Sequence, residues 1–240
     1  MARWSVVECG GSSCRSGAGG RKGLRFKMMV FVTGGARSGK SRFAERLALE
    51  RGGGVTYIAT ARPGDPEMRA RITRHRRRRP PDWTTIEADI DLPGAISRAL
   101  DGSGTVLVDC MTIFIANLLL SGNLVETDPD SCAVIDNSVD RIIDICFNEE
   151  HAAVILVSNE VGMGVVPENA LGRVFRDIAG RANQRLAAVA DEVYLCVSGI
   201  PVPIKKKTGG GQDRRRSSWR QDRAGFQAPA GFHTDRGKQA

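Results

Sequence analysis

The residues GGARSGKS at positions 34–41 directly follow a short apolar run. The spacing G-x-x-x-x-G-K-S is typical of a loop whose backbone N–H groups bind the phosphates of a nucleotide. A side chain at Gly34 or Gly39 would obstruct or strain such a turn. The pattern assigns Lys40 to the β- and γ-phosphates and the Ser41 hydroxyl to a Mg²⁺ ion. The sequence therefore predicts a nucleoside-triphosphate site at the N-terminus of a helix.

A second polar group is Asp109, in the run TVLVDC. The apolar residues before it predict a strand, and Asp109 lies at the end of that strand. A carboxylate in that position is the arrangement that holds the metal in phosphoryl-transfer enzymes. The residues leave two roles open for Asp109, either a Mg²⁺ ligand beside Ser41 or a base for a substrate hydroxyl. A cap or turn residue is the simpler alternative, but the phosphate loop favours a metal or nucleotide role.

The stretch RITRHRRRRPPDW, residues 71–83, contains His75, which is one of three histidines in the chain. A neutral imidazole can attack a phosphorus centre while arginines stabilise the charge that develops. A positive field also favours the neutral imidazole. The alternative is a solvated basic helix face on which His75 has no role, and the residues alone leave both interpretations open. The arginines that would bind a polyphosphate are Arg74, Arg76, Arg77, Arg78 and Arg79.

Short apolar runs alternate with longer amphipathic segments, and this alternation predicts an α/β fold with a mostly parallel sheet flanked by helices. In such a sheet, ligands bind beyond the carboxyl ends of the strands. The predicted strands are 30–33, 55–59, 105–109, 154–158 and 192–197, with a short edge strand following the last of them. The predicted helices are 41–50, 66–78, 112–120, 131–148 and 170–189.

The 240 residues fit one α/β domain, and their formal charge of +8 is concentrated at the two ends. Residues 1–27 carry +5 and residues 205–240 carry +7, which leaves −4 for residues 28–204. We expect a folded domain at 28–205 and a basic low-complexity tail at 206–240. Residues 1–27 are expected to be disordered, or to follow from a start codon placed too early. Because the domain is acidic, nucleic acid is an unlikely partner.

The six cysteines form no C-x-x-C pair, and three of them, Cys110, Cys146 and Cys196, lie in apolar stretches. Reduced thiols in such stretches behave as small hydrophobic groups, so we expect a reducing, cytoplasmic environment. The sequence has no uninterrupted apolar run of about 18 residues. No membrane span is therefore expected.

Five strings together resemble one particular family, the bifunctional adenosylcobinamide kinase / adenosylcobinamide-phosphate guanylyltransferases of cobalamin biosynthesis. The resemblance extends over about residues 28–205. R-I-x-x-H and SNEVGMGVVPEN are its most specific elements, because generic P-loop kinases lack both. The strings are TGGARSGKSRFAE, YIATA, R-I-x-x-H, LVDCMT and ILVSNEVGMGVVPENALGRVFRDIAGRANQRLAAVADEVYLCVSGIPVPIK.

The resemblance implies a RecA-like P-loop fold, a homotrimer, Mg²⁺ as cofactor and ATP and GTP as substrates. It implies that adenosylcobinamide is phosphorylated first, and that GMP then passes from GTP through His75 to the corrinoid phosphate. Catalytic roles fall on His75, Lys40 and Asp109. The implied nucleotide contacts are Gly34, Gly35, Ala36, Arg37, Ser38, Gly39, Lys40, Ser41, Ala59, Thr60, Ala61, Arg76, Arg77, Arg78, Arg79, Glu87 and Asp109.

Two other functions are compatible with part of the pattern. One is a small-molecule kinase without the guanylyl step, in which His75 only contacts phosphate. The other is a RecA-like ATPase that binds nucleic acid through basic tails, although few aromatic residues accompany those charges. The segment SNEVGMGVVPEN, residues 158–169, is expected to be a loop over the site or a trimer contact.

Overall fold

A computed structural model describes residues 28–64, 66–121, 129–148 and 152–206. The expectations of a disordered segment at 1–27 and a basic tail after residue 206 concern residues outside these ranges.

The described residues form thirteen helices and strands. The strands are β1 (Met28–Gly34), β2 (Val55–Ala59), β3 (Thr84–Glu87), β4 (Thr105–Asp109), β5 (Ala153–Val157), β6 (Glu192–Val197) and β7 (Ile200–Lys205). The helices are α1 (Lys40–Arg51), α2 (Pro66–Arg78), α3 (Leu92–Leu100), α4 (Met111–Ser121), α5 (Pro129–Asn148) and α6 (Ala170–Val189).

The strands form one sheet with the order β3-β2-β4-β5-β1-β6-β7. All neighbouring strands are parallel except β6 and β7, which are antiparallel. This arrangement confirms the predicted α/β fold, a mostly parallel sheet flanked by helices. β5 lies between β1 and β4, and the three strands are parallel. Their carboxyl ends therefore lie side by side at one edge of the sheet, where the phosphate loop and Asp109 are located.

Both faces of the sheet are buried, since alternate residues of each central strand belong to different hydrophobic clusters. In β1, Phe31 packs on the side of α3, α4, α5 and α6, whereas Val30 and Val32 pack on the side of α1. Burial on both faces explains why these strands are continuous apolar runs rather than alternating ones. The sheet is thus a rigid support for the loops at its carboxyl edge.

We predicted no element between Arg78 and Thr105, but the structure has β3 and α3 there. β3 is an edge strand in which only Ile86 is half-buried, so the period-two signal is absent from its sequence. The α3 helix carries signals that do predict a helix. Asp91 caps it by accepting a hydrogen bond from the Gly94 N–H at 3.1 Å, and its buried residues follow helical spacing.

The three cysteines within the described ranges, Cys110, Cys146 and Cys196, are buried free thiols. None of the described helices has the length and apolar character needed to cross a bilayer.

Candidate active site

The phosphate loop is a tight backbone turn that depends on two glycines. Gly39 has a φ of +90°, and a Cβ built on it would lie 3.0 Å from the Cα of Gly199. A Cβ on Gly34 would lie 2.5 Å from the carbonyl oxygen of Cys196. The turn between β6 and β7 supports the loop from behind, because the Gly199 N–H donates to the Ser38 carbonyl at 2.9 Å. Both positions therefore require glycine, as the pattern predicted.

Between the two glycines, the loop has both exposed and buried residues. Gly35, Ala36 and Arg37 are exposed, and Arg37 has a φ of 57°. Ser38 is buried, and its hydroxyl has no hydrogen-bond partner in the described part of the chain. A free hydroxyl inside the turn is available to a bound phosphate.

Lys40 is the first residue of α1 and is buried, with 6% of its surface exposed. Its ammonium donates a hydrogen bond to the Gly35 carbonyl at 3.2 Å. Burial lowers the pKa of this ammonium, while the Cys110 and Asp109 side chains act in the opposite direction. Ser41 follows in the first turn of α1. The positive end of the helix dipole and the lysine charge therefore act at the same place.

Asp109 ends β4 and lies close to three polar side chains. The Tyr57 hydroxyl donates to its Oδ2 at 3.0 Å, and His75 Nδ1 lies 3.7 Å from the same oxygen. Burial alone would raise the pKa of the carboxyl, but the contacts with His75, Ser41 and Tyr57 outweigh it and hold that pKa below its ordinary value. Burial, followed by the Asp109 charge, raises the pKa of the Tyr57 hydroxyl far above its ordinary value. Asp109 is therefore an ionised acceptor at the centre of the site.

One face of α2 covers this centre. The face includes His75, whose side chain is 21% exposed, and no residue of α2 is fully buried. The members of this face recur at intervals of three and four residues, which places them on one side of a helix. They are Met68, Arg71, Ile72, His75 and, just after the helix, Arg79.

These groups line a single pocket at the carboxyl edge of the sheet. The pocket combines the phosphate loop, the ends of β2, β4 and β5, and the covering face of α2. It is lined by Lys40, Ser41, Tyr57, Ala59, Ala61, Met68, Arg71, Ile72, His75, Arg79, Asp109, Cys110, Ile113 and Asn159.

Of the arginines expected at the nucleotide, which are Arg37, Arg76, Arg77, Arg78 and Arg79, only Arg79 lines the pocket. Its guanidinium stacks on the Tyr57 ring, 3.3 Å from the ring centre. Arg76 pairs with Glu87 at 3.7 Å between two largely exposed side chains, and Arg78 pairs with Glu45 at 3.0 Å. Arg77 is exposed. Glu87, an expected nucleotide contact, thus lies at the surface beside α2.

The residues at the end of β2 and directly after it have two different roles, because some line the pocket and one supports the backbone behind it. Ala59 and Ala61 line the pocket, whereas Thr60 is completely buried behind it. The Thr60 hydroxyl accepts from the Cys110 N–H at 2.8 Å and donates to the Cys110 carbonyl at 2.9 Å. Both hydrogen-bonding capacities of the hydroxyl are used in holding the backbone that follows Asp109. Thr60 therefore positions the carboxylate.

Comparison with known proteins adds an independent observation. Residues 30–204 match the family described as cobinamide kinase / cobinamide phosphate guanyltransferase. The chain belongs to this family. Kinase and guanylyltransferase activities are thereby confirmed at the level of the family.

Individual relatives of the chain support the same family assignment. The chain is 50% identical over 186 residues to the bifunctional adenosylcobalamin biosynthesis protein CobU of Salmonella typhimurium, covering 74% of this chain and 100% of that protein. The Escherichia coli protein of the same name is 47% identical over 184 residues, with the same two coverages. The Pseudomonas aeruginosa protein CobP is 42% identical over 178 residues, 74% of this chain and 98% of the relative.

Among solved structures, a RadB recombinase aligns with a TM-score of 0.39 and 16% sequence identity. The alignment covers 72% of this chain and 76% of the recombinase.

For an enzyme of the cobinamide kinase / guanylyltransferase family, the donor set fits Mg²⁺. The Ser41 hydroxyl and the Asp109 carboxylate line the same pocket as Lys40. Among the residues described, no group of three or more His, Cys, Asp or Glu side chains could hold a metal. Mg²⁺ at phosphate sites needs fewer ligands, because one or two protein oxygens act together with substrate phosphates and water.

The lining residues that were not selected from the sequence include three with polar side chains, Tyr57, Arg71 and Asn159. Arg71 is four residues before His75, so the helical period predicts it on the same face. Tyr57 lies two residues before Ala59 on β2, which places both side chains on the same face of the sheet. Asn159 lies in the segment 158–169, whose motif left a loop over the site open, but its place in the pocket depends on β5 lying between β1 and β4.

The cobinamide kinase / guanylyltransferase pocket thus combines a phosphate loop, an ionised carboxylate and an imidazole. Because Asp109 faces Nδ1 of His75, Nε2 is the ring atom available for attack. The cations Lys40, Arg71 and Arg79 can offset the charge of a triphosphate. This arrangement permits both phosphoryl transfer and covalent nucleotidyl transfer.

Proposed function

We propose that this chain phosphorylates adenosylcobinamide and then transfers GMP from GTP to the product through His75, giving adenosylcobinamide-GDP. The observation that carries the proposal is the contact between His75 Nδ1 and Asp109 Oδ2, 3.7 Å apart, in the same pocket as Lys40 and Ser41. A bystander on a solvated helix face has no reason to lie against the carboxylate beside a phosphate loop.

In the kinase step, the substrate hydroxyl oxygen attacks the γ-phosphorus of a nucleoside triphosphate. A new O–P bond forms, and the bond between the γ-phosphorus and the bridging oxygen of the β-phosphate breaks, releasing the diphosphate. Asp109 is the group that accepts the hydroxyl proton. Lys40 and the phosphate-loop N–H groups stabilise the charge on the phosphate oxygens.

In the guanylyl step, Nε2 of His75 attacks the α-phosphorus of GTP and pyrophosphate leaves. Asp109 stabilises the positive charge that develops on the imidazole and fixes its orientation. A phosphate oxygen of the corrinoid then attacks the same phosphorus and breaks the N–P bond. Forming a covalent intermediate lets pyrophosphate leave before the bulky corrinoid arrives.

Two cations on the covering face are the best candidates for nucleotide contacts. Arg71 and Arg79 line the pocket, so both can reach a triphosphate bound to the loop. Arg76, Arg77, Arg78 and Glu87 remain predicted nucleotide contacts, and Arg76, Arg78 and Glu87 would first have to leave their present ion pairs.

Mg²⁺ is proposed as cofactor, held by Ser41 and Asp109 together with phosphate oxygens. When bound, it supplies charge neutralisation on the phosphates. Asp109 can be a metal ligand in one step and a base in another, so the two roles are compatible. Its carboxylate has two oxygens, and one can contact the metal while the other accepts a proton.

The decisive experiment uses GTP labelled at the α-phosphate. Wild-type protein should acquire a label that survives alkali and is released by acid, as a phosphoramidate is. His75→Ala should acquire no label but keep measurable phosphorylation of adenosylcobinamide. Thr73→Ala is the matched control, because Thr73 is exposed on the same helix and bonds only to the Arg69 carbonyl at 2.9 Å.

Labelling of His75→Ala would show that the nucleophile is another residue. Absence of label in the wild type, with kinase activity intact, would instead favour the small-molecule kinase. Deletion of 1–27 and 206–240 should leave both activities, which would place the catalytic unit within 28–205.

A homotrimer in the cytoplasm is the proposed physiological form. An exposed apolar edge supports association, because Val197, Ile200, Val202 and Ile204 are all more than 40% exposed around the β6–β7 hairpin. An exposed apolar edge of this kind is normally covered by another chain or by another element. Light scattering should give three times the chain mass of 25.9 kDa.

A further inference from the structure

Asn159 is a lining residue whose side chain has no hydrogen-bond partner among the residues that the structure describes. Its Oδ1 is buried without a hydrogen bond, and its Nδ2 makes none to any residue in the described part of the chain. A buried polar atom without a partner, such as this Oδ1, is costly, by about 1–3 kcal/mol. Such a group is retained where a ligand completes its hydrogen bonding.

In contrast, the backbone around Asn159 is fully bonded. The Asn159 N–H donates to the Thr112 hydroxyl at 2.6 Å, and its carbonyl accepts from Asn183 Nδ2 at 3.0 Å. The next N–H, that of Glu160, donates to the Gly34 carbonyl at 3.0 Å. Three elements, β1, α4 and α6, therefore fix the position from which the side chain projects.

The neighbouring Ser158 extends this support. Its hydroxyl donates to Asn183 Oδ1 at 2.7 Å and lies 3.0 Å from the Thr112 hydroxyl. All three side chains are buried. This network holds the segment after β5 rigidly, and it leaves the Asn159 amide as the one group of the network that is open to the pocket.

The strand order determines which part of a ligand this amide can reach. β5 lies between β1, which leads into the phosphate loop, and β4, which ends in Asp109. Asn159 therefore lies between the groups that bind the β- and γ-phosphates and the carboxylate beyond them. An oxygen of the terminal phosphate is the ligand atom expected at that point.

We propose that the side-chain amide of Asn159 hydrogen-bonds the terminal phosphate of a bound nucleoside triphosphate and distinguishes triphosphate from diphosphate. The NH₂ group of the amide supplies the donor that a phosphate requires, and it makes no hydrogen bond within the described part of the chain. This deepens the proposed function and rests only on its claim that a nucleotide binds in this pocket.

The test compares binding of the β,γ-imido analogue of ATP with binding of ADP, measured by calorimetry without corrinoid. Asn159→Ala should weaken binding of the analogue by about 10- to 100-fold and of ADP by less than about 3-fold, as expected for loss of one hydrogen bond to a charged group. Asn159→Asp, which keeps the side-chain shape, should lose at least as much of the preference for the triphosphate.

Asn169→Ala is the matched control. Asn169 caps α6 on the same connection by accepting from the Gly172 N–H at 2.6 Å, and it does not line the pocket. The control should unfold at a lower temperature with an unchanged affinity ratio. Equal losses for both nucleotides in Asn159→Ala, or no loss for either, would overturn the proposal.

A kinetic measurement gives a second readout. In the phosphoryl-transfer step, Asn159→Ala should lower kcat more than it raises KM, because the contact is made to the group in transfer. The binding ratio needs neither His75 nor a corrinoid. Failure of GTP labelling in the wild type would therefore refute the proposed function without affecting this test.

Discussion

The phosphate loop and helix α2 contribute to the same pocket but are held in different ways. The loop is fixed by its own backbone, by the buried Lys40 and by the β6–β7 turn behind it. In contrast, α2 has no buried residue and is held at its surface by ion pairs and by stacking of Arg79 on Tyr57.

This difference in how the loop and α2 are held matches the different tasks that we propose for them. Binding phosphate requires a preformed backbone, so the loop is built into the core. Covalent transfer requires an imidazole that contacts first GTP and then a corrinoid. His75 accordingly lies on α2, an element with few fixed contacts. Elements with little buried apolar surface are those that open most easily.

The largest effect is expected from disrupting the loop. In Gly34→Ala the new Cβ would lie 2.5 Å from the Cys196 carbonyl oxygen, and overpacking of this kind costs about 1–3 kcal/mol. Nucleotide affinity should fall by up to about 100-fold, in line with that cost. Gly102→Ala is the control, since Gly102 lies outside the phosphate loop and no described atom lies within 4 Å of its Cβ position. Similar affinities for the two variants by calorimetry would contradict the rigid-loop view.

A smaller effect is expected at the junction of the two regions. Asp109→Asn keeps the shape but removes the charge that faces His75, and formation of the labelled enzyme should slow by about 10- to 100-fold. Rapid-quench measurement with labelled GTP reports this rate directly. If the rate is unchanged, Asp109 does not assist the imidazole.

The same carboxylate gives a pH-dependent prediction. The pKa of Asp109 is held below its ordinary value, so the stabilisation by its charge is complete above about pH 4, the ordinary Asp pKa, and is lost as the pH falls further. The difference in unfolding free energy between the wild type and Asp109→Asn should shrink as the pH falls from about 5 to below about 4. Urea titrations across this range provide the measurement. A difference that grows on acidification would reverse the assigned direction.

A modest effect is expected for Tyr57→Phe. The substitution removes the hydroxyl that donates to Asp109 at 3.0 Å and keeps the ring beneath Arg79. One hydrogen bond corresponds to a decrease in guanylylation rate of about 2- to 10-fold. Tyr57→Leu should cost more because it also removes the stacking surface. Equal rates for the two variants would exclude a role for the ring.

The smallest effect is expected on the outer side of α2. Arg78→Ala breaks the pair with Glu45, whose atoms are 3.0 Å apart, and Arg78 is 40% exposed. Loss of such a pair should cost less than about 1 kcal/mol in urea unfolding, and still less at high salt. Hydrogen exchange should show α2 amides exchanging faster than those of α1 in both proteins. A cost of several kcal/mol would mean that α2 is held more firmly than its burial indicates.

Six of the seven described strands, five of the six described helices and the loop were predictable because each is encoded over a few residues. The glycines of residues 34–41 and the continuous apolar strands carry their own signals. β3 was missed because three of its four residues are exposed. α3 was missed although Asp91 and Pro93 mark its start.

The site was predictable only in part. Lys40, Ser41, His75, Asp109 and Arg79 line the pocket as the sequence suggested. Thr60 has instead a supporting role. The motif at residues 158–169 left a position over the site open but did not single out Asn159, because the neighbours of Asn159 come from elements distant in the chain.

The sequence by itself determined the phosphate loop, the alternation of strands and helices, and the family, because these depend on local conformation and on contiguous motifs. Only the tertiary structure decided that His75 faces Asp109, that Tyr57 lies between Asp109 and Arg79, and that Asn159 projects between the phosphate loop and the carboxylate. These contacts depend on the order in which crossover connections place the strands. That order minimises exposed apolar surface over the whole domain, so no short segment encodes it.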